Sequence, residues 1–231
     1  MSKRNKLLKF ADLLSFPHVY ENFDPKRPML LGQNGEEVDL KGKWSQLHFH
    51  NAQPITLELA CGKGHYTLGL AMRYPNRNFI GVDIKGARIW RGAKTALENE
   101  LKNVAFLRTR IEQIQYFFEP NEVHEIWITF PDPFLSNTNA NRRLTSAYFL
   151  ELYQQLLVPK GLVHLKTDSS ELYEFTLRTL QEVSTFKISY QNDDIYTQPL
   201  LMEELSITTE YEQIHLKAGK SIKYVQLQST K

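Results

Sequence analysis

The feature that most limits how this chain can fold is a regular alternation of apolar stretches and helical spacing that starts at Ile55. ITLELA (55–60), NFIGVDI (78–84), VAFLR (104–108), EIWITF (125–130) and LVHLKT (162–167) are β-branched and apolar, as strands covered on both faces are. Helical segments lie between them. HYTLGLAMRYP carries Leu68, Ala71 and Met72 at helical spacing and is closed by Pro75. Longer stretches run over 86–101, 145–157 and 169–183, and a short one over 111–118. Strand–helix units of this length predict a mainly parallel sheet with helices on both faces. KISY (187–190) and SIKYVQLQ (221–228) alternate at period two and predict an antiparallel hairpin at one sheet edge. The expectation is an α/β fold with a mostly parallel seven-stranded sheet.

The rest of the composition narrows the class. At 231 residues the chain fits one large domain that needs no covalent staples. Cys61 is the single cysteine, which excludes an intramolecular disulfide and a multi-cysteine zinc site. Lys9 and Asp12 interrupt LLKFADLLSF, so no secretory core forms, and no apolar run approaches a membrane span. These readings predict a cytoplasmic globular protein without membrane or metal partners; monomer and homodimer fit equally. The net charge of +2, from 28 basic and 26 acidic residues, is unevenly spread. Lys3, Arg4, Lys6 and Lys9 precede any acid, and Lys217, Lys220 and Lys223 cluster near the C-terminus. The first group reads either as a solvated terminus or as an arm for phosphates. Residues 17–28 (PHVYENFDPKRP) read as an irregular connector, within a basic extension over 1–37 ahead of a domain over 38–231. His48 and His50 read as loop residues.

Ligands of open α/β sheets bind at the C-terminal ends of the strands. Glu58-Leu59-Ala60-Cys61-Gly62-Lys63-Gly64 spans the end of the first strand of the alternation and the turn after it. Gly62 and Gly64 remove side chains where a ligand must approach the backbone. The third glycine of a dinucleotide fingerprint is replaced by Thr67, which argues against a nicotinamide cofactor. Glu58 is a carboxylate in an otherwise apolar strand and calls for a cationic or N–H partner. S-adenosylmethionine offers an ammonium and a sulfonium; a salt bridge to Lys63 or Lys85 is the plainer alternative. Asp83 ends the second strand of the alternation, where a carboxylate can accept from both ribose hydroxyls. Cys61 reads as a small filler rather than a nucleophile.

Thr129-Phe130-Pro131-Asp132-Pro133-Phe134 follows the fourth of these strands. Prolines on both sides fix the backbone around Asp132 at the sheet edge. Arg142 and Arg143 suit phosphate contacts or, equally, a salt bridge to an acid. Asp168 after the fifth strand either caps the next helix or faces a substrate.

At these residues the sequence resembles the bacterial tRNA (guanine-N7)-methyltransferases. The resemblance runs through KGKW (41–44), LELACGKG, FIGVDI, TFPDP, RRLT, HLKTD and TEYE (209–212), over nearly all of 38–228. It implies a Rossmann-like class I methyltransferase that uses S-adenosylmethionine and acts on a guanosine of the tRNA variable loop. By resemblance Glu58, Gly62, Gly64 and Asp83 hold the cofactor, and Asp132 is the catalytic acid and also touches cofactor. Asp168 and Thr209, Glu210, Tyr211 and Glu212 hold guanine or complete its pocket; alone, TEYE reads equally as an exposed acidic turn. Two positions depart from the family pattern. Arg110 stands where the family has Asp or Asn at the adenine, leaving Glu112 or backbone groups to complete that contact. Ser136 stands at the place of a substrate-contacting lysine, in a loop (134–141) without any cation; Arg142 and Arg143 follow it. A class I methyltransferase for another substrate and a non-catalytic RNA-binding relative are the competing readings.

Overall fold

In the computed structural model, residues 9, 11–22 and 24–231 are described. The basic residues Lys3, Arg4 and Lys6 lie outside them. The chain divides into two compact units, residues 1–119 and 120–231.

The first unit is built on three parallel strands, β4 (Ile55–Leu59), β5 (Asn78–Asp83) and β6 (Val104–Arg108). All residues of β4 and β5 are buried, which is why those segments are apolar at consecutive positions rather than at alternate ones. Helix α1 (His65–Arg73) connects β4 to β5, and α2 (Gly86–Glu98) connects β5 to β6. On α2 the buried residues Ile89, Ala93 and Ala96 follow helical spacing. Gly92 of the same helix is fixed by packing: a Cβ there would sit 2.6 Å from the Lys63 carbonyl oxygen and 2.8 Å from the Phe106 ring.

The segment expected as an irregular connector is part of the sheet. β1 (Val19–Glu21) pairs in parallel with β6, and β2 (Leu30–Leu31) and β3 (Glu37–Val38) continue outward as antiparallel strands. Strands this short, set among Pro17, Pro25 and Pro28, carry no periodicity to read. The extension is anchored by Trp44 of KGKW. Its buried indole donates to the Phe117 carbonyl at 2.8 Å, stacks on Phe118, and meets Tyr20 of β1 edge-on. His48 likewise is no loop residue. Its Nε2 faces the Val104 carbonyl, so that nitrogen carries the proton and Nδ1 accepts from the Tyr20 hydroxyl at 2.8 Å. Burial pushes its pKa down to about 4. His50 is exposed, as expected.

The second unit has β7 (Val123–Thr129) parallel to β8 (Leu157–Thr167). Helix α3 (Ala147–Leu156) joins them and runs straight into β8. Helix α4 (Ser170–Glu182) follows, and β9 (Phe186–Asn192) and β10 (Lys223–Ser229) complete the order β7-β8-β10-β9. The last two pair antiparallel as expected, but their connection contains helix α5 (Glu210–Lys217). All seven expected strands form, and with β1, β2 and β3 the described residues hold ten. The core of this unit has a polar seam. Glu125 accepts from the Trp127 indole at 3.1 Å and pairs with His164 at 2.8 Å, and the other His164 nitrogen meets the Tyr224 hydroxyl at 2.7 Å.

Candidate active site

In the first unit the site is the turn between β4 and α1 together with the end of β5. Ala60, Gly62 and Gly64 all have positive φ (57°, 58° and 70°), so the turn curls through the left-handed region. Gly64 must also stay bare: a Cβ would lie 2.7 Å from the Phe106 ring. A Cβ on Gly62 would meet nothing within 4 Å, so that side of the turn is open.

The two acids are held by the local backbone. Glu58, 3% exposed, accepts from the Thr67 N–H at 2.8 Å and from the Thr67 hydroxyl. Thr67, a departure from the dinucleotide pattern, therefore tethers the buried acid to the first turn of α1, where the helix dipole favours negative charge. Asp83 accepts from the Gly62 N–H at 2.8 Å through one oxygen and from the Lys85 N–H at 2.7 Å through the other. Cys61 is buried against this turn. Burial, then Glu58 and Asp83, push its thiol pKa well up, which keeps it protonated and inert as a filler.

Beside Asp83 lies a cleft of about 230 Å³ lined by Asn22, Pro25, Ile84, Arg108, Arg110 and Gln113, with Thr109 at its wall. Arg110 reaches it; Glu112 does not line it, so the expected substitute is not placed there. The Thr109 hydroxyl is buried with no hydrogen-bond partner among the described residues, a polar atom awaiting a ligand group. The extension supplies the outer wall. Gln113 donates to the Pro25 carbonyl at 2.7 Å, and Arg108 pairs with Glu21 of β1 at 2.9 Å. Asn22 and Pro25 escape sequence reading because only the β1–β6 pairing brings the extension here.

In the second unit the Phe-Pro-Asp-Pro-Phe loop leaves β7 under strain. Phe130 and Phe134, on either side of it, have φ of 48° and 42°, conformations costing about 1–3 kcal/mol each for a bulky residue. The surroundings enforce them. Phe130 N–H donates to the Lys166 carbonyl at 2.8 Å, and its ring stacks on His215. Arg143, expected at a phosphate or in a salt bridge to an acid, is only 4% exposed. Its guanidinium donates to the Pro133 and Phe134 carbonyls at 3.0–3.3 Å and lies over the Phe175 ring, which makes it the clamp of the loop. Arg142 is exposed over Phe134, 4.6 Å from the ring centroid. Asp132 is exposed, with one oxygen accepting from the Phe134 N–H at 3.0 Å. Ser136 is exposed and bonded to Thr138.

Asp168 does not cap α4; Ser169 does, accepting from the Leu172 N–H at 3.1 Å. Asp168 is instead paired with Lys220 at 2.7 Å and His215 at 3.4 Å. Together with Pro133, Leu135 and the Ser169–Glu171 turn it lines an open hollow, so the proline loop and Asp168 share one surface. TEYE is not an exposed turn. Thr209 caps α5 by accepting from the Glu212 N–H at 3.1 Å, and Glu212 turns inward. Wholly buried, it pairs with Lys166 at 2.7 Å and accepts from the Tyr196 hydroxyl at 2.6 Å, while its second oxygen has no partner among the described residues. Lys166 also donates to the Leu205 and Ile207 carbonyls. Burial pulls the Lys166 pKa down against the pull of Glu212. Tyr211 is half exposed beside this buried pair, and Glu210 stands on the same first turn of α5.

The fold and the turn define a Rossmann-like methyltransferase class. A family model described as putative methyltransferase matches residues 52–225. Among solved structures, the 16S rRNA methyltransferase KamB superposes with a TM-score of 0.64 at 13% identity, over 85% of this chain and 97% of that one; the likeness is one of fold. The tRNA (guanine-N(7)-)-methyltransferase of Christiangramia forsetii is 47% identical over 226 residues, covering 97% of this chain and 98% of that protein. That of Bacteroides thetaiotaomicron is 47% identical over 96% of this chain and 84% of that protein. The chain belongs to the tRNA (guanine-N(7)-)-methyltransferase family. Among the described residues no helix is long and apolar enough to cross a membrane, and no group of three or more His, Cys, Asp or Glu is placed to hold a metal ion.

Proposed function

We propose that this protein methylates N7 of a guanosine in the tRNA variable loop, using S-adenosylmethionine, in the cytoplasm, as a monomer or homodimer. The observation that carries this reading is identity near one half along essentially the whole length of a tRNA (guanine-N(7)-)-methyltransferase. The residues of the first unit fit the cofactor. The open side of Gly62, the unpartnered Thr109 hydroxyl and two backbone-oriented acids make a cradle for a ligand with cationic and hydroxyl groups. Asp83 would accept from ribose hydroxyls, Glu58 would face the amino-acid end, and Ile84, Thr109 and Arg110 would border adenine.

S-adenosylmethionine, when bound, supplies a sulfonium methyl, and guanine N7 takes it up without losing a proton. No general base is therefore needed. The work left to the chain is positioning and exclusion of water. Asp132 and Asp168 would accept from guanine N1–H and the exocyclic amine, a donor pattern that adenine lacks. The carboxylate of Asp132 also favours the positive charge that grows on the purine. Strain at Phe130 and Phe134 and the Arg143 clamp hold Asp132 at a fixed place rather than on a mobile loop. Arg142 and Ser136 remain on the exposed side toward the RNA. Thr209 and Glu212 act from below, fixing the first turn of α5 so that Glu210 and Tyr211 border the guanine.

The test is methyl transfer to unmodified tRNA followed by mapping of the modified nucleotide. The expected product is N7-methylguanosine in the variable loop, lost when that guanosine is changed to adenosine. Methylation elsewhere, or none despite cofactor binding, would contradict the reading.

A further inference from the structure

The outer face of α2 carries a charge that its surroundings do not neutralise. Between Asp83 and Glu98 the chain has Lys85, Arg88, Arg91 and Lys94 and no acid. All four are exposed. Lys94 pairs with Glu98 at 3.8 Å, while Lys85, Arg88 and Arg91 have no ion-pair partner among the described residues. Each follows the previous one by three positions, so neighbours on the helix surface repel one another. Stabilising helices place acids at such positions; this one keeps three like-charged pairs in succession.

Trp90, on the same helix, organises the cations further. Lys9 lies 4.3 Å and Lys94 5.3 Å from its ring centroid. Its indole N–H donates to Asp12 at 3.0 Å. Ammonium groups held over an indole are pre-positioned, which lowers the entropy lost when they meet an anion. The face begins two residues after Asp83 and extends roughly 14 Å along the helix axis.

We infer that the α2 face, with Lys9, grips the phosphate backbone of the RNA substrate. The inference rests on the reading of tRNA as substrate and says where this chain holds it. The loop over 134–141 has no cation, so contacts to phosphate have to come from basic groups elsewhere in the chain.

The test is tRNA binding by the full chain across a salt series, with KM for tRNA measured beside it. Arg88→Ala/Arg91→Ala should lower the slope of log affinity against log salt by about 1–2 and raise KM about tenfold. Affinity for S-adenosylhomocysteine reports whether the variant is folded. Lys187→Glu, on exposed β9, removes the same two charge units elsewhere and should leave the slope unchanged. An unchanged slope and KM in the double variant, or an equal loss in Lys187→Glu, would overturn the inference. A wild-type protein that neither binds nor methylates tRNA would remove the substrate reading, and this inference with it.

Discussion

The two units satisfy their buried polar groups by opposite means. In the first, Glu58 and Asp83 are met by backbone N–H groups of Gly62, Thr67 and Lys85, 2–21 residues away in the chain, and His48 stays neutral between a tyrosine hydroxyl and a carbonyl. Glu21–Arg108 is instead a side-chain pair, and it ties the extension to β6. In the second, Lys166–Glu212 and His164–Glu125 are buried paired side chains separated by 39–46 residues. The backbone amides around Asp83 orient that anion without neutralising it, which leaves its negative charge for a ligand. Paired side chains consume their charge in holding walls together. The first arrangement suits binding a cofactor; the second suits supporting a rigid surface on which Asp132 and Asp168 are displayed.

That difference can be broken at Lys166. Lys166→Met would leave the Glu212 carboxylate buried without its counter-charge, and the expected loss is about 3–5 kcal/mol in denaturant-unfolding stability. The double variant Lys166→Met/Glu212→Leu should recover most of it. If the single variant is as stable as the parent, the pair does not hold α5.

In the first unit the corresponding sensitivity is to acid. The folded pKa of His48, about 4, lies below its unfolded value of 6.5. The unfolded chain therefore binds the proton first, and stability falls as pH drops from about 6.5 to about 4. The full contribution is roughly 3 kcal/mol, present above the unfolded pKa and gone below the folded one. His48→Gln should flatten the stability curve in that window by this amount. An unchanged slope would show that His48 protonates freely in the folded protein.

The same contrast decides what the sequence could disclose. Strands β4 to β10 were legible because their apolar runs and alternation are local properties, and so were the two acids at the ends of β4 and β5. The glycine turn was legible for the same reason, since a positive φ leaves its mark on the residue that adopts it. Long-range contacts were not. Arg143 reads equally as a phosphate ligand or an acid's partner until Phe175 and the Pro133 carbonyl are placed around it. Taken without the resemblance, Glu212 reads equally as a surface acid until Lys166 lies beneath it, and Asp168 reads as a helix cap or a substrate-facing acid until Ser169 is seen to hold the cap. β1 was hidden by its length, and with it the contribution of Asn22 and Pro25 to the cleft beside Asp83.

The division of labour between the units is the central claim, and one paired measurement tests it. Calorimetric titration with S-adenosylhomocysteine is set beside turnover on unmodified tRNA for Asp83→Asn and Asp132→Ala. Asp83→Asn should weaken cofactor binding about tenfold or more. Asp132→Ala should bind the cofactor within about twofold of the parent while turnover falls at least about a hundredfold. Near-normal methylation by Asp132→Ala, or a loss of cofactor affinity equal to that of Asp83→Asn, would contradict it.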